Sequence, residues 1–318
     1  MTIFDQITIL IFVSCVGIEL SLLLIVKYKK KFKQVVFAML ALFIILQSTL
    51  IYGSLIEPQW IEIVYDSVDL TEDQDGLSLK VVLVSDYHLG PYKQQDFVEK
   101  SVELINEQKP DLVLLLGDFI YSYEEQSDYL SPIANIKSKL GVYAILGNHD
   151  YGLSRSNRND REEIGALNKS SYVANKLEEF GVEVLQNQQY TLNINGQDLV
   201  LVGLEDLWGD IYDFGSVFEN LTSEDKIILL EHNPDIILDE RSDIADLIVS
   251  GHTHGGQIRF PLIGTVYPIP TKLGAQYAMG KFDIEDGGYL YITKGIGEMG
   301  PRARLLARPE IVVLDVKL

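Results

Sequence analysis

Cysteine is all but missing from this 318-residue chain; there is one, Cys15. A single thiol excludes a disulfide framework, and cysteine usage says nothing of the redox compartment. Positive charge is also scarce. The chain holds 26 Lys and Arg against 46 Asp and Glu, a net charge of −20. That balance argues against a nucleic-acid-binding surface. It says little about a phosphorylated substrate, because metal ions can supply local positive charge. The sequence has no internal repeat and no low-complexity linker. Histidine is rare as well, with five residues in the whole chain.

Two stretches lack charge almost entirely. Residues 7–26 form an apolar run of membrane-spanning length with one charge, Glu19, and residues 35–56 form a second with none. Between them stand Lys27, Lys29, Lys30, Lys31 and Lys33. Short lysine-rich loops stay in the cytoplasm. A membrane hairpin over 1–56 is therefore expected, multi-pass with two spans, with everything after residue 56 on the extracytoplasmic face of the cell membrane. A cleaved signal peptide is the weaker reading, because the positive charges follow the first run and a second run comes next. Glu19 reads as a residue facing the partner helix or an interface rather than as a functional carboxylate. Residues 57–77 read as a linker with a lead-in strand and an acidic turn over 66–76. Trp60 and Tyr65 suit an interfacial anchor. Residues 78–318 read as one soluble domain. The first 56 residues carry five lysines and two acids, a net +3, so the remainder carries −23.

Strand and helix patterns alternate in that domain. Apolar runs near 80–84, 111–116, 142–146, 226–230 and 245–250 read as buried strands. Residues 94–108 read as a helix with Phe97, Val98, Val102, Leu104 and Ile105 along one stripe. Residues 131–140 and 171–180 read as further helices, the second ended by Gly181. Residues 190–203 read as a hairpin turning at Asn195-Gly196, and late strands fall at 289–293 and 311–316. Early βαβ order and late strands point to an α/β fold of two packed sheets with helices outside. The polar stretch 155–171, with Arg155, Arg158 and Arg161, is either a substrate-facing lid or a solvated insertion.

All five histidines fall just past an apolar run. His88 follows 80–84, His149 follows 142–146, His232 follows 226–230, and His252 and His254 follow 245–250. Asp86, Asp118 and Asn148 stand in the same context. Catalytic and ligating groups of α/β proteins gather beyond the carboxyl ends of strands. One lone histidine would read as a surface or satisfied core residue; five in one context do not. Asp86, His88, Asp118, Asn148, His232, His252 and His254 offer seven oxygen or nitrogen donors. That is too many for one tetrahedral zinc. It suits two ions about 3.5–4 Å apart that acidify a bridging water and clamp a phosphate. The mix of carboxylate, amide and imidazole suits Mn2+, Fe2+ or Zn2+ better than calcium. His149 is left over, placed to protonate a leaving oxygen or to steady transition-state charge.

The set Asp86-x-His88, Gly117-Asp118, Gly147-Asn148-His149-Asp150, His232 and Gly251-His252-Thr253-His254 resembles the calcineurin-like metallophosphoesterase superfamily in order and spacing. The resemblance spans residues 80–318. The ending Gly251–Gln257, the stretch 308–311 and Glu57-Pro58 look like its membrane-associated bacterial YkuE/YaeI-like branch. The resemblance implies an αββα sandwich of two mixed sheets. It implies that Asp86, His88 and His254 hold one ion, that Asp118 bridges, and that Asn148, His232 and His252 hold the other. His149 would be the catalytic histidine. One position departs: many members place an aspartate where Tyr121 stands, paired with the catalytic histidine, so what orients His149 is open, with Asp150 or another acid as the candidate substitute. Arg302 and Arg304, in a loop the resemblance places near the site's rim, are either substrate-binding or solvated; arginine forks suit phosphate. Asp206, Trp208 and Asp210 read as a structural loop.

The expected function is a membrane-anchored two-metal phosphoesterase. Its substrate would be a phosphate ester on a phospholipid or other lipid-linked carrier, an expectation resting on the two spans alone, with no nucleic-acid partner. Two rivals stay open: hydrolysis of soluble nucleotides, and a non-catalytic metal-dependent membrane scaffold.

Overall fold

Alternation within the apolar runs feeds two cores at once, which is why the strands are apolar on both faces. The computed structural model describes residues 3–28, 31, 33–71, 76–153, 166–284 and 288–318. One six-stranded sheet contains β1 (Glu62–Asp69), β2 (Ser78–Val84), β3 (Leu112–Leu116), β4 (Val142–Ile145), β5 (Glu183–Val184) and β14 (Glu310–Lys317). Its order is β1-β14-β2-β3-β4-β5. The other contains β6 (Gln188–Ile194), β7 (Gln197–Gly203), β8 (Lys226–Leu230), β9 (Leu247–Ser250), β12 (Gly280–Asp283) and β13 (Tyr289–Ile292). Its order is β12-β13-β9-β8-β7-β6.

Val81 and Leu83 of β2 join Ile228 and Leu230 of β8 in the core between the sheets. Val82 and Val84 face the opposite way, toward α3 (Gln95–Gln108) and α4 (Ala166–Glu179). Ile227 and Leu229 face a third core with the short helix α5 (Phe214–Val217). The result is two mixed sheets face to face with helices outside, as the alternation implied. The β2-β3-β4-β5 and β13-β9-β8-β7 runs are parallel. Their carboxyl ends therefore present one row of loops each.

Three local expectations differ. Residues 131–140 are not an α-helix; a 3-10 stretch covers Glu124–Asn135, with Pro132 inside it. Proline removes an N–H that an α-helical ladder would use. The expected acidic turn begins later than residue 66, because parallel pairing with β14 carries β1 on to Asp69. Helix α4 starts at Ala166, inside the expected loop, while Arg155, Arg158 and Arg161 lie outside the described residues.

Helices α1 (Ile3–Tyr28) and α2 (Lys33–Ile51) pack as an antiparallel pair. Both are long and apolar enough to cross a membrane, and 26 residues span about 39 Å. Leu10, Leu42 and Ile45 are exposed, and few side chains of the pair are covered by protein.

A π turn, Tyr52–Ile56, and a 3-10 turn, Glu57–Gln59, continue α2 into the sandwich. The junction is tied by the buried Glu57, whose Oε1 accepts from Ala307 N at 2.8 Å. Arg308 stacks its guanidinium 3.8 Å from the Trp60 ring, and the buried Lys93 donates to the Pro58 carbonyl. Register fixes where this junction lies. Glu62 pairs with Glu310, and Val312 pairs with Leu83 near the end of β2. The helix pair thus joins the sandwich at the carboxyl ends of the parallel strands.

Candidate metal centre

Five strand ends deliver the site. The loops after β2, β3, β4, β8 and β9 carry Asp86 and His88, Asp118, Asn148 and His149, His232, and His252 and His254. All but His149 are buried, and His149 is partly so. Asp86, His88, Asp118, His252 and His254 all have positive φ, between 43° and 68°. Each such non-glycine residue costs on the order of 1 kcal/mol or more. Strain of that kind, gathered at one place, is what functional loops store. Glycine makes the close approach possible: a Cβ on Gly147 would overlap the Asp118 carboxylate, and one on Gly251 would overlap Ser85.

The polar atoms converge. His88 Nε2 lies 3.1 Å from His254 Nε2, and His254 Nε2 lies 3.5 Å from Asp86 Oδ1. Asp118 Oδ2 lies 3.4 Å from His88 Nε2 on one side and 3.1 Å from His232 Nε2 on the other. Two donors about 2.1 Å from one ion sit about 3.0–3.4 Å apart at tetrahedral or octahedral angles. The observed separations match that. Asp86, His88 and His254 form one group able to hold a metal, Asp118, His232 and His252 a second, and His88, Asp118 and His149 a third overlapping both.

Outer contacts aim each donor. His232 Nδ1 bonds the Leu116 carbonyl at 2.6 Å, turning Nε2 inward. His252 Nε2 bonds the Pro270 carbonyl at 3.1 Å, leaving Nδ1 for the centre. Asn148 donates from Nδ2 to Leu153 O at 2.9 Å, which points Oδ1 inward. Such contacts set tautomer and ring orientation in metal sites. Among the described residues, Asn148 Oδ1 is buried without a hydrogen-bond partner. An orphaned buried acceptor is costly, and a cation would satisfy it. The residues present therefore fit divalent ions.

Electrostatics favour the ligating form at three of the imidazoles. Burial pushes the His88 and His254 imidazoles down to about 3, against the pull of Asp118 and Asp86 respectively. Burial also holds His252 well below its ordinary value. Neutral imidazole is the form that ligates. Burial opposes charge on His232 and Asp118 too, but each outweighs it for the other: His232 is raised well above its ordinary value and Asp118 lowered well below.

His149 is held by the main chain. Its Nδ1 bonds the Tyr121 carbonyl at 3.0 Å, and its N–H donates to Asp118 Oδ1 at 2.8 Å. Where a carboxylate was expected to orient the ring, a backbone oxygen does so. Asp150 is not the substitute. Its carboxyl accepts from Phe119, Ile120 and Gly147 N–H groups and ties two loops together. Burial pushes it up to about 7.

The two arginines do not join the donors. Arg304 is fully buried and donates to the carbonyls of Lys294, Gly295, Gly297 and Ala307 at 2.7–3.2 Å. So enclosed, it presents nothing to a substrate, and the expected rim role is corrected to that of a clamp. The clamp reaches the site indirectly, since Gly297 N donates to the Asp86 carbonyl at 2.6 Å. Arg302 is partly buried, with its guanidinium 5.6 Å from the Tyr92 ring. Trp208, read from sequence as structural, stands edge-on to His252 at 4.6 Å between centroids. An aromatic close behind an aspartate in a strand-end loop was the available signal.

The sequence pattern of the family described as calcineurin-like phosphoesterase matches residues 79–256. Among curated proteins the chain is similar to an uncharacterized metallophosphoesterase, Cj0846, of Campylobacter jejuni. The identity is 32% over 79% of this chain and 62% of that protein. It is 30% identical to the phosphodiesterase YaeI of Escherichia coli, over 82% of this chain and 90% of YaeI. It is also 30% identical to the uncharacterized metallophosphoesterase YkuE of Bacillus subtilis, over 84% of this chain and 89% of YkuE.

Proposed function

The chain belongs to the calcineurin-like phosphoesterase family, and from that premise we propose that it is a membrane-anchored hydrolase of a lipid-borne phosphoric ester that works with two divalent ions. The observation that carries this reading is Asp118 Oδ2, flanked at 3.4 and 3.1 Å by imidazoles of two different groups. One carboxylate so flanked suits a bridge. Asp86, His88 and His254 would hold one ion; Asn148, His232 and His252 would hold the other. Mixed oxygen and imidazole donors suit manganese, iron or zinc. Bound there, the ions would acidify a water and take up charge developing on the phosphate oxygens.

The remaining chemistry belongs to the chain. The His149 Nδ1–H donates to the Tyr121 carbonyl, which leaves Nε2 to carry a proton to the departing alkoxide. Main-chain N–H groups of His149 and His252 hold the Asp118 and Asp86 carboxylates in place. Burial excludes bulk water from the donors and strengthens every charge interaction among them.

The lipid part of the reading rests on position. The apolar helix pair joins the sandwich at the same end as the metal centre. An open cavity of about 550 Å³ lies between the helices and that end, lined by Ile9, Phe12, Leu50, Leu55, Pro91 and Arg302. Asp5, Thr8 and Ser54 line it as well, and its mostly apolar walls suit an acyl chain. The five lysines between the helices support a sandwich on the extracytoplasmic face.

The test is hydrolysis by the full chain, manganese-loaded in detergent. The substrates are a p-nitrophenyl phosphodiester of a long-chain alcohol, its short-chain counterpart, and p-nitrophenyl phosphate. The reading expects hydrolysis, lost in Asp118→Asn, with the long-chain diester preferred once both are offered in bilayers. Hydrolysis with no chain-length preference would overturn the lipid part. A wild-type rate no higher than that of Asp118→Asn on any of the three would overturn the whole.

A further inference from the structure

Between the candidate ligand His254 and Thr271 the chain makes a detour. It forms a small hairpin of β10 (Arg259–Phe260) and β11 (Gly264–Thr265). From Gln257 to Pro270 the only charge is Arg259, in a chain that is 23% charged. The tip is apolar and bare. Leu262 is 108% exposed and Ile263 77%, with Phe260, Val266 and Tyr267 also exposed beside them. Single exposed apolar residues are ordinary, but a contiguous group on a projecting turn marks a contact surface.

Two independent features say which surface. The first is the hydrogen-bond path from the tip to the helix pair. Arg259 N donates to Leu305 O at 2.8 Å, and Leu305 N donates to Gln257 O at 2.9 Å. The neighbouring Arg304 N donates to Gly53 O at 2.8 Å, within the π turn that ends the second apolar helix. The hairpin base is thus stitched to the helix exit through the Arg304–Leu305 segment and its isolated bridge to Ile258. The second feature is direction. The helix pair joins the sandwich at the carboxyl ends of the parallel strands, and the hairpin leaves from His254–Gly256 at those same ends. Tip, helix exit and metal centre share one end of the molecule.

We propose that Phe260-Pro261-Leu262-Ile263 is a third membrane-contacting element, which seats in the interfacial layer of a lipid bilayer and holds the mouth of the metal centre against it. The proposal rests on the reading that α1 and α2 cross a membrane. The reach is appropriate. Two residues beyond Phe260 extend about 7 Å, and interfacial elements bury their apolar faces about 5–10 Å deep. The aromatic Tyr267 suits the headgroup level, while the Arg259 guanidinium folds back to donate to Gly255 O at 2.8 Å. With Arg259 as its only cation the hairpin does not depend on anionic lipid, and zwitterionic lipid suffices. The consequence for the reaction is geometric. The hairpin begins five residues after His254, and the chain returns to Pro270, whose carbonyl orients His252. Seating the tip therefore fixes the side of the centre that a lipid-borne ester meets.

The experiment uses the full chain with Cys15→Ala, reconstituted in phosphatidylcholine vesicles, with one environment-sensitive thiol probe per variant. Leu262→Cys reports the tip and Leu24→Cys the first helix. Gln197→Cys, at the opposite end of the strands, reports water. Nitroxide lipids labelled near the glycerol backbone or at the chain end are the quenchers, with iodide as the aqueous one. The expected result is at least about a twofold stronger quenching of the 262 probe by the shallow nitroxide than by iodide, with the 197 probe reversed. A 262 probe quenched by iodide as freely as the 197 probe would overturn the proposal. The probe at 24 separates the causes. Nitroxide quenching there, at either depth, would leave the spans standing with the tip idea lost, and iodide quenching there would mean that the spans fail too. As a second readout, Leu262→Asp with Ile263→Asp is expected to slow hydrolysis of the vesicle-borne long-chain diester about tenfold while leaving the short-chain diester unchanged. Wild-type rates on both esters would contradict the proposal.

Discussion

Arg304→Met separates a clamp from a substrate-binding arginine. The guanidinium is wholly buried and bonds four carbonyls, those of Lys294, Gly295, Gly297 and Ala307. Its charge sits near the buried Glu298, Glu310 and Glu57. Methionine keeps the apolar stem and removes every donor. Summing each charge-assisted bond at about 1.5–3 kcal/mol would overshoot, because freed carbonyls relax toward water and the arginine's own burial was costly. Breaking a buried charged network by removing one partner typically costs about 3–5 kcal/mol. For a domain of this size that is a fall of roughly 6–20 °C in the unfolding midpoint. The loop also leans on Asp86 through Gly297 N, so manganese affinity should fall with stability. The assay is thermal unfolding of the detergent-solubilised chain with and without manganese, beside a KM measurement. A variant as stable as the wild type, with KM raised and metal affinity unchanged, would refute the clamp.

Three further outcomes arise from the same geometry. His149→Gln should slow cleavage of a simple alkyl ester by about 10²–10⁴, yet slow release of nitrophenolate far less, because that leaving group needs no proton; equal losses would remove the acid role. Asp206 is buried with Oδ2 unpartnered among the described residues, and burial pushes it up to about 7 from 3.8. A carboxyl raised by folding contributes stability below its unfolded value that is lost as pH rises toward the folded one. This one should forfeit on the order of 4 kcal/mol between pH 4 and 7 in chelator-treated protein. Asp206→Asn should flatten that slope in denaturant titrations, and an unchanged slope would place the charge elsewhere. Trp208→Ala, which frees the His252 ring edge, should weaken metal affinity about 10–100-fold, as loss of outer support does; unchanged affinity in a metal titration would leave Trp208 with packing alone.

Some of this was legible in the sequence and some was not, for physical reasons. The sheet cores were legible because runs such as Lys226–Leu230 are apolar at consecutive positions, which only a strand covered on both faces requires. The gathering of His88, Asp118, Asn148, His232, His252 and His254 was legible because each follows such a run. Arg304 was not, because an arginine in a glycine-rich loop becomes a clamp only when the chain closes around it. Tyr121 was opaque for a similar reason: what holds His149 is its carbonyl, which every residue has. The stretch Phe260–Ile263 is apolar in sequence, and only the fold reveals it as bare.

The central claim is that one carboxylate serves two ions. The most direct measurement is metal content per chain, by elemental analysis of manganese-loaded, dialysed protein, for the wild type and Asp118→Asn. Thermal unfolding of both would show that the fold persists. The account expects two ions bound by the wild type and fewer in the variant, with phosphodiester hydrolysis reduced by orders of magnitude. One ion in the wild type, or two in a folded Asp118→Asn that still hydrolyses the ester at the wild-type rate, would contradict it.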